Sequence, residues 1–423
     1  MAVAAALLLA LATVGEARAQ AAPLAPVPLA MIEVLSGPFA NTGDAVRRNL
    51  QWAVERVNAR GGVRLPEGQR PLVLRTFDSK GQADEAVNLL RLATDQGIGV
   101  ILQGNSSAVA GALIEAVNKH NEREPQRRAV FLNYSAIDPP LTNERCSPWH
   151  FRFDAHADMR LQVLTDVLRD DQQVRRVFLI GQDYSFGQHV LRKGRELIAA
   201  KRPDIEVVGQ ELHPMGRVRD FLPYATKIKS SGAQAVLTGN WGNDLTLLVK
   251  ALRDVQANVR IYTFYGNALG APAAIGEAGV ERVVAINEWH PNEPGSASGQ
   301  FYAAYRQRFA LPQEDYPMAR LHVMVEMLVQ AMERAGSTQA EAVARALSGL
   351  SFDGKTLGGL YSATMRAEDH QLMQPLVVSV MARAPGPGVM HDVEGSGFGF
   401  RTTRRVDSAA AALPHRCVMK TWR

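Results

Sequence analysis

The chain has 423 residues, of which 46% are hydrophobic and 21% charged, a composition typical of a globular protein with room for two domains. The formal charge of +5 comes from scattered lysines and arginines. The lysines and arginines form no basic block of the kind found in nucleic-acid-binding proteins, so we expect no nucleic-acid partner. Beyond the first residues, no segment is long and apolar enough to span a membrane.

The N-terminus has the pattern of a secretory signal. The apolar run AVAAALLLALATV is followed by the residues ARA at 17–19, which match the A-x-A cleavage pattern, and then by Gln20. The run is too short to cross a bilayer, and it lacks the polar face of a buried N-terminal helix. Although no positive charge precedes the run, we expect residues 1–19 to be a signal peptide and the exported, soluble chain to begin at Gln20.

Apolar strands and amphipathic helices alternate along most of the chain. The strand PLAMIEVL leads through the loop LSGPFANTGD into a helix with Val46, Leu50, Val54 and Val57 on one face, and the glycines of NARGG end this helix. Further apolar strands, separated by helices, are PLVLRTF, IGVIL and RAVFLNYS. The same pattern returns downstream in VFLIGQDYSFG, AQAVLTGNWGND and VRIYTFYGNALG. This alternation predicts parallel sheets with helices on both faces.

These strands are too numerous for one sheet, so we expect an α/β protein with two lobes. Three segments are placed to pass between the lobes: 153–154, 286–288 and 357–360. The predicted boundaries are 27–153 plus 288–356 for lobe I, and 154–287 plus 357–385 for lobe II. The last residues, 386–423, are rich in Gly, Pro, Ala and Arg and are predicted to form an extended tail, partly ordered at best.

The loops after the strands are candidates for a binding site, because open parallel sheets bind ligands beyond the carboxyl ends of their strands. In QGNSSA, Ser106 and Ser107 begin a helix whose free N–H groups and dipole suit a carboxylate. Plain N-capping is the commoner role of such serines, and a capping serine can also face a cleft. Core packing explains Tyr265 at least as well as a cleft does, whereas the position of Trp241 favours the cleft. Aromatic residues of this kind, typical of a small-molecule cleft, are Phe39, Tyr134, Tyr184, Phe186, Trp241 and Tyr265.

Catalytic and metal-binding motifs are absent from the sequence. It has no G-x-S-x-G, H-E-x-x-H or C-x-x-C pattern, so we expect neither an enzyme nor a cofactor. His156 and Asp158 lack a third ligand nearby, and a solvated helix surface is the better interpretation than a metal site. Cys146 and Cys417 are the only cysteines. In an exported chain we expect them to form a disulfide rather than two buried free thiols.

Several segments occur in an order found in one protein family. They are LSGPFANTGD, AVERVNARGG, GNSSA, YSFGQ, RDFLPYATKIKSSGAQAV, AMERAGST, LSFDGKTLGG and DHQLMQPLVVSV. Together, from about Pro28 to Met381, they resemble the leucine/isoleucine/valine-binding protein family, the type I periplasmic substrate-binding proteins of ABC transporters. The resemblance implies two discontinuous Rossmann-like lobes joined by a three-segment hinge. It also implies a periplasmic monomer that closes on a small-molecule ligand and delivers it to the membrane permease of an importer.

The resemblance also suggests which residues bind the ligand. The serine turn that receives a ligand carboxylate corresponds to Ser106 or Ser107, and the next contact loop corresponds to 135–137. Ile137 stands where a threonine is expected, and Thr42 stands where an aromatic residue is expected. The predicted ligand-binding residues are Asn41, Thr42, Ser106, Ser107, Ser135, Ile137, Tyr184, Phe186, Asn240, Trp241 and Asn267.

The segment TFYGNALG departs from the family pattern. Amino-acid binders of this family resemble one another in having an acidic residue here, which pairs with the ligand ammonium, whereas this chain has Tyr265, Gly266 and Asn267. Burying an ammonium group without an anionic partner costs on the order of several kcal/mol of binding free energy. The nearest acids in the sequence, Asp244 and Glu277, would have to reach the site from elsewhere.

The identity of the ligand therefore stays open at this point. By family default it is a branched-chain or other amino acid, and the missing acid makes an aromatic or other small organic acid, or a neutral polar molecule, a serious rival. A sensor that reports ligand binding to a membrane partner is a second hypothesis for the function. An exported enzyme is a third, against which the missing catalytic motifs argue.

Overall fold

A computed structural model describes residues 24–420 of the chain. Its two main sheets include the strands predicted above, most of which are apolar runs flanked by turn-forming residues. The predicted signal peptide, residues 1–19, lies outside the described residues. Within the described part of the chain, no helix is long and apolar enough to cross a membrane.

The strands are β1 (Val27–Glu33), β2 (Val63–Leu65), β3 (Gly68–Arg70), β4 (Leu72–Asp78), β5 (Val100–Gln103), β6 (Val130–Asn133), β7 (His150–Arg152), β8 (Arg176–Gln182), β9 (Glu206–His213), β10 (Ala235–Thr238), β11 (Arg260–Thr263), β12 (Val283–Asn287), β13 (Ser351–Phe352), β14 (Ala363–Met365), β15 (Leu372–Met373), β16 (Leu376–Arg383) and β17 (Phe398–Val406). The α-helices are α1 (Ala40–Ala59), α2 (Ala83–Asp95), α3 (Ser107–Arg123), α4 (Ala157–Asp170), α5 (Ser185–Lys201), α6 (Leu222–Ser230), α7 (Asn243–Asp254), α8 (Ala271–Ile275), α9 (Ser296–Arg308), α10 (Ala319–Ala335), α11 (Ala340–Leu347) and α12 (Ser408–Ala411). Short 3-10 turns are Pro139–Thr142, Gly276–Gly279, Pro312–Glu314 and Lys355–Leu357.

The two main sheets confirm the predicted α/β class with two lobes. The first sheet has the strand order β4-β1-β5-β6-β7, and its pairings are parallel. The second has the order β17-β16-β12-β11-β10-β8-β9, in which β8 to β12 pair in parallel and β16 and β17 add an antiparallel edge. Central strands such as β5, β6 and β10 are buried throughout, because helices cover both faces.

Each lobe has its own hydrophobic core, and the backbone passes between the lobes at three places. It passes from the core of lobe I to that of lobe II between Phe153 and Ala155, and it returns between Ile286 and Trp289. The sequence analysis predicts crossovers at 153–154 and 286–288. The third lies later than predicted, at 372–376.

The predicted third crossover at 357–360, where lobe II was expected to resume, is wrong. Leu357 and Leu360 are buried in the core of lobe I, and so is Leu372. The reason is a small antiparallel sheet of β13, β14 and β15, which packs on lobe I before the chain enters β16. The crossing segment therefore follows β15.

The tail is more ordered than its composition predicts. The residues Phe398–Val406 pair along β16 as β17, and Phe400 is buried in the core of lobe II. The arginines of this edge strand form surface ion pairs, among them Arg404 with Asp170. The prediction of a partly ordered tail is therefore wrong for the described residues up to 420, because Gly- and Arg-rich composition concealed a strand.

A disulfide fastens the end of the tail. Cys417 is bonded to Cys146, 271 positions earlier, in the loop that precedes β7. Beside this bond, the backbone N–H of Arg416 donates to Asn143 Oδ1 at 2.7 Å. The tail therefore begins in the sheet of lobe II and ends on lobe I, so that it adds a fourth covalent connection between the lobes.

A buried histidine lies at or beside each crossover. His156 caps α4 by accepting a hydrogen bond from Met159 N at 3.4 Å, so the predicted solvated surface is wrong for this residue. His290 follows the second crossover, and His370 stacks on Phe151 with 3.9 Å between ring centroids. Burial lowers the pKa of His156 and of His290 to about 3 and that of His370 to about 4.

We expect the free energy of unfolding to fall as the pH is lowered from about 6.5 to about 4.5. In this range the unfolded chain binds protons on these histidines and the folded chain does not, so acid favours unfolding. Each histidine contributes a slope of up to about 1.4 kcal/mol per pH unit, which urea unfolding at several pH values measures. His156→Asn, whose Oδ1 can replace Nδ1 as the capping acceptor, and His290→Gln should each flatten the slope. Wild-type slopes in both variants would contradict this assignment.

Candidate functional site

A cavity lies between the two lobes. The carboxyl ends of strands from both sheets meet there, which is the edge where parallel α/β sheets bind ligands. The lining residues are Thr42, Gly104, Asn105, Ser106, Ser107, Ser135, Ala136, Ile137, Tyr184, Phe186, Trp241, Gly242, Tyr265, Ala268, Leu269, Tyr316, Met318 and Arg320.

Ser106 and Ser107 form a polar end of this cavity on lobe I. Ser106 is the N-cap of α3, with its Oγ 3.5 Å from Val109 N, and its φ of +86° is a strained backbone conformation for a residue with a side chain. Ser107 Oγ accepts a hydrogen bond from Asp138 N at 3.3 Å, which ties the turn to the next polar loop. Since the first N–H groups of a helix have no intrahelical acceptor, this end of the cavity suits a ligand anion.

The serine turn rests on a buried carboxylate. Glu33, at the end of β1, accepts hydrogen bonds from Gly104 N at 2.9 Å and Asn105 N at 2.8 Å. It also accepts one from Tyr134 Oη at 2.5 Å. A Cβ at position 104 would lie 2.4 Å from the Tyr134 ring, so glycine is required there. Burial raises the pKa of Glu33, and these hydrogen bonds oppose the rise. Glu33 therefore fixes the backbone that enters α3.

Aromatic side chains close the cavity from lobe II. Trp241 stacks on Phe39 of lobe I with 4.4 Å between ring centroids, and its indole N–H donates to Tyr184 Oη at 2.9 Å. Gly242 permits this approach, because its φ is +60° and a Cβ there would lie 2.7 Å from the Phe39 ring. Phe186 continues the wall, 5.8 Å from the Tyr184 ring. The lobes are therefore in contact across the cavity.

Arg320 is the one side chain with a formal charge among the described lining residues. Its Nε donates to Tyr134 O at 2.8 Å and its Nη2 to Ser135 Oγ at 2.8 Å, so it holds the second polar loop. Its guanidinium lies 3.2 Å from Glu288 and 3.5 Å from Asp154. Burial alone would lower the pKa of Arg320, but these two carboxylates outweigh burial and raise it above its ordinary value.

The family model for periplasmic binding proteins matches residues 26–384, which are most of the chain. The chain belongs to this family. This periplasmic binding protein is 31% identical to "Leu/Ile/Val-binding protein homolog 4" of Brucella melitensis biotype 1 over 419 residues, which are 97% of this chain and 96% of that protein. The resemblance to the leucine/isoleucine/valine-binding proteins is therefore confirmed.

Solved structures of periplasmic binding proteins share the architecture. The leucine-, isoleucine-, valine-, threonine- and alanine-binding protein from Brucella ovis, in a closed conformation, has a TM-score of 0.80 at 27% identity and covers 93% of this chain and 99% of its own. A solute-binding protein of an ABC transporter from R. palustris, in complex with benzoate, has a TM-score of 0.74 at 15% identity and covers 93% and 99%. At this identity the second likeness shows the fold alone. These relatives are binding proteins rather than enzymes.

Most of the predicted ligand-binding residues of this family member lie together at the cavity. Those that line it are Thr42, Ser106, Ser107, Ser135, Ile137, Tyr184, Phe186 and Trp241. Each lies in a loop that follows a strand or in the first turns of the next helix. Tyr265, for which core packing was an equal alternative, also lines the cavity.

Three predicted asparagines, Asn41, Asn240 and Asn267, lie outside the lining of the cavity. Asn41 is exposed, whereas Asn240 is fully buried, with its Nδ2 2.8 Å from His213 Nε2. The amides of Asn267 and Asn287 lie 2.6 Å apart and contact one another. The side-chain amides of Asn240, which is buried, and Asn267, which is half-buried, therefore each contact a neighbouring side chain.

The acids that were considered as ammonium partners do not reach the cavity either. Asp244 is buried and accepts hydrogen bonds from Gln182 Nε2 and Gly216 N, each at 2.9 Å. Glu277 is exposed and pairs with Arg383. Among the described residues, no aspartate or glutamate lines the cavity, and no group of three or more His, Cys, Asp or Glu side chains could hold a metal ion.

Sequence reasoning missed the part of the lining that precedes and begins α10. Tyr316, Met318 and Arg320 are far from the serine turn in sequence, and the chain brings them to it only through the second crossover. One signal was present in the segment ARLHVMVEML, where an arginine interrupts a helix that is apolar on most of its faces. A buried arginine at such a position needs partners, which is typical of a functional or hinge position.

We expect Glu33→Ala to lower the free energy of unfolding by about 3 kcal/mol or more, since it leaves several buried donors unpaired at about 1–3 kcal/mol each. Tyr134→Phe removes one donor to the same carboxylate and should cost about 1–2 kcal/mol. Urea unfolding followed by tryptophan fluorescence compares the two variants. If Glu33→Ala were no less stable than Tyr134→Phe, Glu33 would not hold the serine turn as described.

Proposed function

We propose that this protein is an exported solute-binding protein that captures a small monocarboxylate with an apolar, preferably aromatic body and delivers it to the permease of an ABC importer. One observation carries the proposal: the described lining combines a serine turn at a helix N-terminus with aromatic walls, and it includes no aspartate or glutamate. Membership in a family of ABC-transporter binding proteins supports the transport role and the periplasmic location.

The ligand carboxylate would bind at the serine turn on lobe I. Ser106 and Ser107 supply hydroxyl groups, and the N-terminus of α3 supplies N–H groups and a positive dipole end. The loop from Ser135 to Ile137 lies alongside, linked to the turn by the bond from Asp138 N to Ser107 Oγ. A carboxylate in this position would exchange hydrogen bonds with water for hydrogen bonds with fixed donors. No negatively charged side chain among the described lining residues would repel it.

The body of the ligand would lie between rings. Tyr184, Phe186, Trp241 and Tyr265 contribute aromatic faces and edges, and Leu269 adds to the apolar surface. Flat aromatic ligands gain from offset or edge-to-face contacts with such rings in addition to the apolar area that they bury. An aromatic carboxylate therefore satisfies both ends of the cavity.

An amino acid fits the lining less well because of its ammonium group. The lining offers the ammonium neutral hydroxyl and carbonyl groups and, among the described residues, no anionic side chain. The Brucella ovis relative is titled as a binder of leucine, isoleucine, valine, threonine and alanine, and the R. palustris protein is in complex with benzoate. The absence of an acid from the described lining favours the second class of ligand for this chain.

Closure of the lobes would retain the ligand. Trp241 on lobe II contacts Phe39 on lobe I, and Asn243 Nδ2 donates to Pro38 O at 2.7 Å across the same mouth. Hinge closure around a ligand is the general behaviour of periplasmic binding proteins. A sensor would close in the same way, so the binding experiments below hold for either downstream partner.

We expect benzoate to bind the mature chain at least about tenfold more tightly than leucine, because a buried ammonium without an anionic partner costs several kcal/mol. The measurement is calorimetric titration of the chain from Gln20 onward, unfolded and refolded beforehand to remove any ligand it carries. Tight binding of leucine without binding of benzoate would contradict the proposed ligand class.

Trp241→Ala should weaken benzoate binding by about tenfold or more, since it removes a wall of the cavity and the ring contact between the lobes. The matched control is Tyr224→Ala, which removes an aromatic ring from the same lobe outside the lining. Titration of both variants, with circular dichroism to verify folding, tests the role of Trp241. An unchanged affinity in a folded Trp241→Ala protein would assign this residue to the core instead.

A further inference from the structure

Arg320 reaches the cavity, but the polar atoms of its guanidinium group are already engaged. Its Nε donates to Tyr134 O at 2.8 Å, and its Nη2 donates to Ser135 Oγ at 2.8 Å. Its Nη1 faces the carboxylate of Glu288, with the nearer oxygen at 3.2 Å. The side chain is therefore held by lobe I and by the second crossover before any ligand arrives.

A second carboxylate approaches the same guanidinium from the first crossover. Asp154 Oδ2 lies 3.5 Å from Arg320 Nε, and Asp154 Oδ1 pairs with Arg160 of lobe II. Arg160 is also fixed by the carbonyl of Ile286, to which its Nη1 donates at 2.7 Å. The side chains of Asp154 and Arg160 are fully buried, and the Glu288 side chain is 2% exposed. Two carboxylates thus face two guanidinium groups, and their formal charges cancel.

This cancellation restricts what the cavity can accept. A ligand carboxylate at the serine turn is stabilised by hydroxyl groups and by a helix N-terminus, neither of which carries a formal charge. A second negative group on the ligand would reach a guanidinium whose charge is already neutralised, so it would lose hydration without gaining an ion pair. No other lining side chain within the described chain carries a positive charge.

We propose that Glu288 and Asp154 determine specificity by ligand charge: by neutralising Arg320, they restrict the cleft to ligands with one negative group. This inference rests on the proposed function, because it takes the serine turn as the site of the first carboxylate. Glu288 and Asp154 act through Arg320 and do not line the cavity, so they are positioning residues rather than ligand contacts.

The test uses Glu288→Gln, whose amide oxygen can still accept from Arg320 Nη1 while the negative charge is lost. Calorimetric titrations of the full mature chain compare benzoate with two dicarboxylates of similar shape, isophthalate and terephthalate. We expect the variant to bind at least one dicarboxylate about tenfold or more tightly than the wild type does, because an uncompensated buried guanidinium attracts the second carboxylate. Asp154→Asn, a second variant, should shift the preference in the same direction.

Glu326→Gln is the matched control. Glu326 lies on α10, the helix of Arg320, and it is a buried carboxylate that pairs with Arg60 at 2.8 Å, outside the cavity lining. It should leave the ligand preference unchanged. Wild-type dicarboxylate affinity in both Glu288→Gln and Asp154→Asn, or an equal gain in Glu326→Gln, would overturn the inference. Dicarboxylates that bind the wild type as tightly as benzoate would also overturn it.

Failure of the proposed function gives a different result. If the wild type binds leucine and not benzoate, the monocarboxylate assignment fails, and the charge rule is then measured with glutamate against leucine in the same variants. A gain in glutamate affinity in Glu288→Gln would support the rule with an amino-acid ligand, whereas no gain would overturn it.

Discussion

Two buried guanidinium groups and two buried carboxylates lie where the lobes join, and the shape of the cleft depends on their pairing. Asp154, on the first crossover, contacts Arg160 of lobe II and Arg320 of lobe I. Glu288, on the second crossover, completes the group. Removing one partner from a buried pair typically costs about 3–5 kcal/mol, so the charged groups couple the hinge to the cavity wall. Since Arg320 also holds the loop of Ser135, the same interactions fix the second polar loop at the ligand.

The two lobes contribute different chemistry to the cleft. Lobe I supplies donors at the serine turn, which Glu33 supports from below, whereas lobe II supplies the rings of Tyr184, Phe186 and Trp241. If the ligand is the carboxylate proposed above, rings that cover these donors would shield it from water and strengthen its electrostatic interactions. The tail, bonded through Cys417 to Cys146, connects the lobes a fourth time.

The sequence predicts the parts of this structure that are encoded locally. Apolar runs predict the strands, and the polar, glycine-containing loops after them predict features such as the serine turn. At Ser106, the apolar run and the polar loop both lie within a few residues of the serine. Arg320 could not be assigned in this way, since its partners lie in segments that only the crossovers bring together. Composition misled in the tail, where arginines on an edge strand resembled disorder, and at 357–360, where a small sheet delays the crossing. The contact of Asn240 with His213 could not be predicted, because a polar residue after a strand can face either a cleft or a buried partner.

The monocarboxylate assignment depends on the chemical identity of the natural ligand. Purification of the protein from the cells that produce it naturally, followed by denaturation and mass spectrometry of the released small molecule, identifies that ligand directly. A primary-amine reagent applied to the same extract distinguishes an amino acid from a simple acid of similar mass. We expect a carboxylic acid with a single acidic group and no reaction with the amine reagent. Release of leucine or another amino acid in an amount equal to the protein would contradict the assignment.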